Sequence, residues 1–161
     1  MMRFANLVVN ASPLIVLTKS GLLSVVSRLS DSWIVPETVF NEATAKSDVN
    51  PGAINSLPGI SIVSSVLIPQ VLGWDLGDGE SAVLSYSLLH GCLPVCMDDR
   101  AAFRCANTSG IPVTGSIGLL IRAKRLGLLP SMREGIDRLQ SAGLWLSPSF
   151  ISDILKREKE N

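Results

Sequence analysis

Residues 94–116, PVCMDDRAAFRCANTSGIPVTGS, contain two strand–turn–helix units in immediate succession. Pro94-Val95-Cys96-Met97 is a brief apolar run that stops at the carboxylates Asp98 and Asp99. Arg100 to Ser109 then reads as a helix, with Gly110 as its C-terminal stop. Ile111 to Thr114 is a second apolar run, and Gly115-Ser116 turns it into a helix from Ile117 to Leu126. Neither run alternates apolar with polar residues. Strands of that kind are buried on both faces, which is the habit of a parallel sheet covered by helices.

The same pattern extends in both directions. Upstream, Leu7, Val8 and Val9 form a continuous apolar strand that ends at Asn10, and Ser12-Pro13 caps and opens a helix. Gly21 breaks that helix, and a second one covers Leu22 to Leu29. Trp33-Ile34-Val35 is another buried strand, and Pro36 opens a helix carrying Val39, Phe40 and Glu42. Asp48 to Pro58 is a loop or broken helix, and Ile60 to Val66 is a strand suited to a sheet edge. Gly77-Asp78-Gly79-Glu80 is a polar turn leading into a helix from Ser81 to Leu89. Downstream, a helix from Ser131 to Ala142 ends at Gly143, and Ser147-Pro148 caps a last helix that runs into KREKEN. Strands alternating with helices predict an α/β protein: a three-layer α/β/α arrangement with a mainly parallel central sheet and added C-terminal helices. There is no repeat and no linker, so residues 1–161 are expected to form one domain, with about 130–161 as a helical extension.

Composition narrows the function. Apolar residues are 47% of the chain, charged residues 17%, and mean hydropathy is +0.36, which excludes a disordered protein. The 14 basic and 14 acidic residues cancel, so no overall field draws the chain to nucleic acid, and any such contact must be local. Low charge also favours self-association, and a homodimer is expected. Cys92, Cys96 and Cys105 have no framework spacing, and with only His90 near them they fit reduced thiols of a cytoplasmic protein better than a zinc site. No apolar stretch is long enough to cross a bilayer, so no membrane role is expected.

In a parallel sheet, ligands bind beyond the carboxyl ends of the strands. Asn10, then Asp98 and Asp99, then Thr114, Gly115 and Ser116 stand at those ends, while Asp78, Glu80 and Glu42 can reach the same edge from helices. Carboxylates brought together need a cation to stay ionised. Hard oxygen donors with few histidines select Mg²⁺ or Mn²⁺. Such a site suits in-line attack of an activated water on a phosphodiester.

The runs VVNASPLI, PETVFNEA, LGDGESAVLSYSL, VCMDDRAAFRCA and VTGSIGLLIRAKRLGLL, in that order, resemble the successive motifs of the PIN-domain family. The resemblance extends from Leu7 to Leu155. It is closest to the branch, often paired with small antitoxins (VapC-like ribonuclease toxins), that carries extra helices after a Thr-Gly turn. It implies a ribonuclease that uses Mg²⁺ or Mn²⁺, an RNA substrate and an antitoxin partner. By position, Asn10 stands where the family usually has its first aspartate, Glu42 matches the next acid, and Glu80 the central one. Asp99, with Asp98 beside it, matches the following acid, and Ser116 the Ser/Thr after the last strand. The implied metal ligands are thus Asn10, Glu42, Glu80, Asp98 and Asp99, with Ser116 orienting water or a ligand. Because an amide carries no charge and accepts no proton, Asn10 also admits an alternative: a degenerate member that binds RNA or a protein without cutting.

Simpler roles compete at each position. Glu42 can be a solvated helix residue, Asp78 a turn residue, and Glu80 a favourable charge at a helix N-terminus. Asn10 and Ser116 can be N-caps. Of Asp98 and Asp99, one is expected to cap the following helix and the other, Asp99, to face the metal. Arg100, Arg104, Arg122, Lys124 and Arg125 are candidate contacts for RNA phosphates, and His90 is expected to be structural.

Overall fold

Leu7, Val8 and Val9 have no solvent exposure because they lie in the middle of a sheet covered on both faces. The computed structural model describes residues 3–45 and 49–160. Strand β1 (Phe4–Val9) is flanked by β2 (Ser30–Pro36) and β4 (Val95–Cys96); β3 (Ile60–Val63) and β5 (Val113–Thr114) lie outside them. The order is β3-β2-β1-β4-β5, and every pairing is parallel. Val8 stands opposite Ile34 on one side and Val95 on the other, and Val95 opposite Val113. The expected edge strand is β3.

The helices are α1 (Ala11–Lys19), α2 (Leu23–Val26), α3 (Glu37–Ala45), α4 (Pro51–Asn55) and α5 (Pro69–Leu72). They continue as α6 (Asp78–Leu89), α7 (Arg100–Thr108), α8 (Ser116–Arg125), α9 (Met132–Ser141) and α10 (Pro148–Arg157). Helix α3 packs between α1 and α6, while α2, α8 and α9 pack as a second set. The result is the three-layer α/β/α arrangement. Trp33 is buried in the middle of β2, and its indole N–H donates to the Ser27 carbonyl at 3.0 Å, tying the 3-10 turn Ser27–Leu29 to the sheet. Gly59, at φ +71, makes the turn before β3, where a Cβ would collide with the Asp31 carbonyl. Only glycine fits there.

Several boundaries differ from the sequence expectation. Helix α1 begins at Ala11, with Asn10 rather than Ser12 at the N-cap position. Pro36 closes β2 instead of opening α3. Asp78 is already helical rather than part of a turn. Of the loop or broken helix expected from Asp48 to Pro58, the structure has the short helix α4, capped by Asn50; Asp48 itself lies outside the described residues, as does Asn161 at the end of KREKEN. Helix α5 has no counterpart in the sequence reading. Among the described residues no single helix is long and apolar enough to cross a membrane.

Candidate metal centre

The chain winds from β1 outward to β3, returns through α6 and adds β4 on the other side of β1. That reversal opens a crevice at the carboxyl ends of β1 and β4, the general ligand position in such sheets. Asn10 is the first residue beyond β1. Its N–H donates to the Cys96 carbonyl at 3.0 Å and its carbonyl accepts from the Leu14 N–H, so the backbone is held between β4 and α1. Its side chain makes no capping hydrogen bond. Although Asn10 is only 1% exposed, Oδ1 has no hydrogen-bond partner.

Glu42 and Gly79 complete this corner. A Cβ added to Gly79 would stand 2.7 Å from Glu42 Oε2 and 3.3 Å from Asn10 Oδ1, so the two oxygens flank one point against the first turn of α6. The absence of a side chain at Gly79 leaves space open beside the two oxygens where α3 and α6 pack together. Glu80, one residue on, folds back over Gly77 at the start of α6. A cavity of about 250 Å³ is lined by both glutamates, by Ser12 on α1, and by Ala142, Gly143 and Leu144 after α9. Sequence reasoning missed this last segment, because nothing in its composition signals proximity to β1.

The two aspartates are placed differently from expectation. Asp99 caps α7, accepting from the Ala102 N–H at 2.9 Å, and it is Asp98 that turns toward the neighbouring strand end. Asp98 Oδ1 accepts from the Ser116 N–H at 2.8 Å, and Oδ2 from the Ser116 hydroxyl at 2.6 Å. Ser116 is therefore not an N-cap but the first residue of α8, following Gly115, and its cap is a carboxylate from β4's end. The absence of a Cβ at Gly115 leaves room for Asp98, and at Gly118 for the Thr114 hydroxyl. This packing accounts for the Gly-x-x-Gly spacing. Burial and, after it, the Asp98 charge push the Cys96 thiol well above its usual range.

The five expected ligands thus fall into two groups: Glu42 and Glu80 at the cavity with Asn10 beside Glu42, and Asp98 and Asp99 at the helix starts. Among the described residues no three His, Cys, Asp or Glu side chains meet at one point. The cavity offers two carboxylates, and the buried Asn10 amide oxygen lies beside one of them, Glu42, at Gly79. This set fits a divalent cation: its donors are hard oxygens, and Asn10 Oδ1 is a buried acceptor without a hydrogen-bond partner that shares the surroundings of Gly79 with Glu42 Oε2. Of the basic residues, Arg100 and Arg104 are exposed. Arg122 lies over the Phe4 ring at 4.5 Å, Lys124 pairs with Glu160 at 2.7 Å and Arg125 with Glu158 at 2.6 Å. His90 stacks on Tyr86 and contacts its carbonyl at 2.8 Å, a structural role.

A parallel sheet with oxygen donors near its switch point is an α/β framework that can hold a ligand beyond the strand ends. The chain belongs to the PIN-domain family, whose sequence model matches residues 6–160. PIN domains are generally nucleases and typically use divalent metal ions. No curated protein matches the chain.

Proposed function

We propose that this protein is a Mg²⁺- or Mn²⁺-dependent endoribonuclease, built as one PIN-like domain in which residues 130–161 form a helical extension. The observation that carries the reading is the unpaired Asn10 Oδ1 beside Glu42 Oε2 at the β1–β4 switch point. Asn10, Glu42 and Glu80 would hold the ion, with Asp98 and Asp99 on its β4 side. A divalent cation there supplies Lewis-acid polarisation of the phosphate and activation of water. In the hydrolysis, a water oxygen bonds to phosphorus, one ester P–O bond breaks, and the leaving oxygen takes a proton. Asp98 fixes the Ser116 hydroxyl and so holds the first turn of α8 against the strand ends. We also place the protein among VapC-like toxins, as a homodimer bound by a small antitoxin. The exposed apolar side chains Val66, Leu67, Leu72 and Trp74, in and around α5, support such protein contacts.

Asn10 favours a second reading, in which a centre with only two carboxylates binds RNA or a protein without cutting it. Cleavage of single-stranded RNA by metal-stripped protein resupplied with Mn²⁺ separates the two. The nuclease reading expects Mn²⁺-dependent product that falls in Glu42→Gln by at least about 10–100-fold, the effect of losing even an outer-shell metal partner. RNA binding without product establishes the second reading.

A further inference from the structure

Next to the acidic cavity lies a larger groove of about 630 Å³, within the range of ~300–1,000 Å³ that holds a small organic group. Asp98 and Gly115 line it on the sheet side, Phe103, Trp145 and Phe150 supply its aromatic surface, and Arg100 borders it. We propose that this groove binds an unpaired nucleobase of single-stranded RNA, adjacent to the phosphate held at the metal centre, with Trp145 as the stacking surface. The inference rests on the nuclease reading above and names how its substrate is held.

Three observations select this occupant. The first is continuity: Leu144 lines both the groove and the cavity of Glu42 and Glu80, and Trp145, the next residue, lines the groove. A strand that brings a phosphate to the cavity must carry its neighbouring nucleotide away along one side, and this groove is the depression that meets it. The second is the state of the aromatic rings. Trp145 is 79% exposed and Phe150 46%, whereas Trp33 is wholly buried. An indole face left in water beside a polar edge suits a flat ring, because every base presents a π-face and stacking needs no particular sequence. The third is charge. Lys124 and Arg125 are engaged by Glu160 and Glu158, while Arg100 is exposed and forms no ion pair among the described residues. Arg100 is thus the cation placed to meet the phosphate of the stacked nucleotide.

The test uses tryptophan emission in a Trp74→Phe background, which leaves buried Trp33 and exposed Trp145. Metal-stripped protein is titrated with a ten-nucleotide oligouridylate and with an abasic sugar-phosphate strand of equal length. Saturable quenching by the oligouridylate is expected. Trp145→Ala should abolish the quench and weaken binding by roughly 5- to 150-fold, the equivalent of one lost base–aromatic stack. Trp145→Phe should restore most of the affinity, and the abasic strand should bind wild type no better than the oligouridylate binds Trp145→Ala. Equal binding of abasic and intact strands, an undiminished Trp145→Ala complex or no quench overturns the inference and leaves the groove to a polypeptide. Stacking without Mn²⁺-dependent cleavage would uphold the groove and reject the nuclease reading. Cleavage of subsaturating RNA undiminished by Trp145→Ala would do the reverse.

Discussion

Asn10 Oδ1 is an acceptor shut away from water with a second acceptor, Glu42 Oε2, near it. Leaving such a group unpaired costs about 1–3 kcal/mol, and a cation between the two oxygens would remove that cost. Gly79 separates this requirement from helix stability. It is the second residue of α6, where the interior cost of glycine does not apply, and a Cβ there would crowd both oxygens, at 2.7 and 3.3 Å. Gly79→Ala should therefore change the melting temperature little, since the Cβ meets the far end of the Glu42 side chain, while weakening Mn²⁺ binding by about 10-fold or more, a loss of the size seen when a metal's supporting groups are disturbed. Calorimetry on both samples checks this, and unchanged Mn²⁺ affinity would show that the corner between α3 and α6 is not the site. The sequence pointed to Asn10, Glu42 and Glu80 at one sheet edge together with Asp98 and Asp99, because each sits at a strand end or on a helix that can reach that edge. It did not reveal Gly79 as a spacer, since the need for space arises only when α3 packs on α6.

At the scale of elements, the aspartates show where a local pattern suffices and where it fails. Asp99 caps its own helix through the third following N–H, a relation contained in adjacent residues. Asp98 caps α8 from another strand, a contact that depends on β4 and β5 being neighbours. The C-terminal tail does the same for α9. Glu160 accepts from Lys124 at 2.7 Å, from the Met132 N–H at 2.7 Å and from the Arg133 N–H at 3.2 Å, joining the tail to α8 and to the start of α9. The Lys124 hydrogen bond, then those backbone donors, hold its carboxyl down at about 2 against the opposing effect of burial. With the folded value below the unfolded one of about 4.3, this contribution is fully present above pH ~5 and is lost as pH falls toward 2. Glu160→Gln should lower the melting temperature at pH 7 by roughly 3–6 °C, for a loss on the order of 1–2 kcal/mol. The gap from wild type should close between pH 5 and 2. A gap independent of pH would show that the tail is held by packing alone.

For the whole molecule, the alternation of apolar strands and helices was enough to give a layered α/β protein, because both-face burial leaves a clear trace in Leu7–Val9 and Trp33–Val35. Strand order left no such trace: a strand buried on both faces reads the same whichever neighbours it has. The order β3-β2-β1-β4-β5 is what brings Asn10 beside Cys96 and creates the switch point. Trp145 was equally hidden, since an aromatic residue in a short connection reads as core or surface until its exposure is seen. The central claim is that the corner of Asn10, Glu42 and Glu80 holds a divalent cation. Calorimetric titration of metal-stripped protein with Mn²⁺, wild type against Glu42→Gln, tests it most directly. Saturable binding in wild type that weakens by at least about 10–100-fold in the variant is the predicted result. No binding in wild type, or equal binding in both, would contradict it.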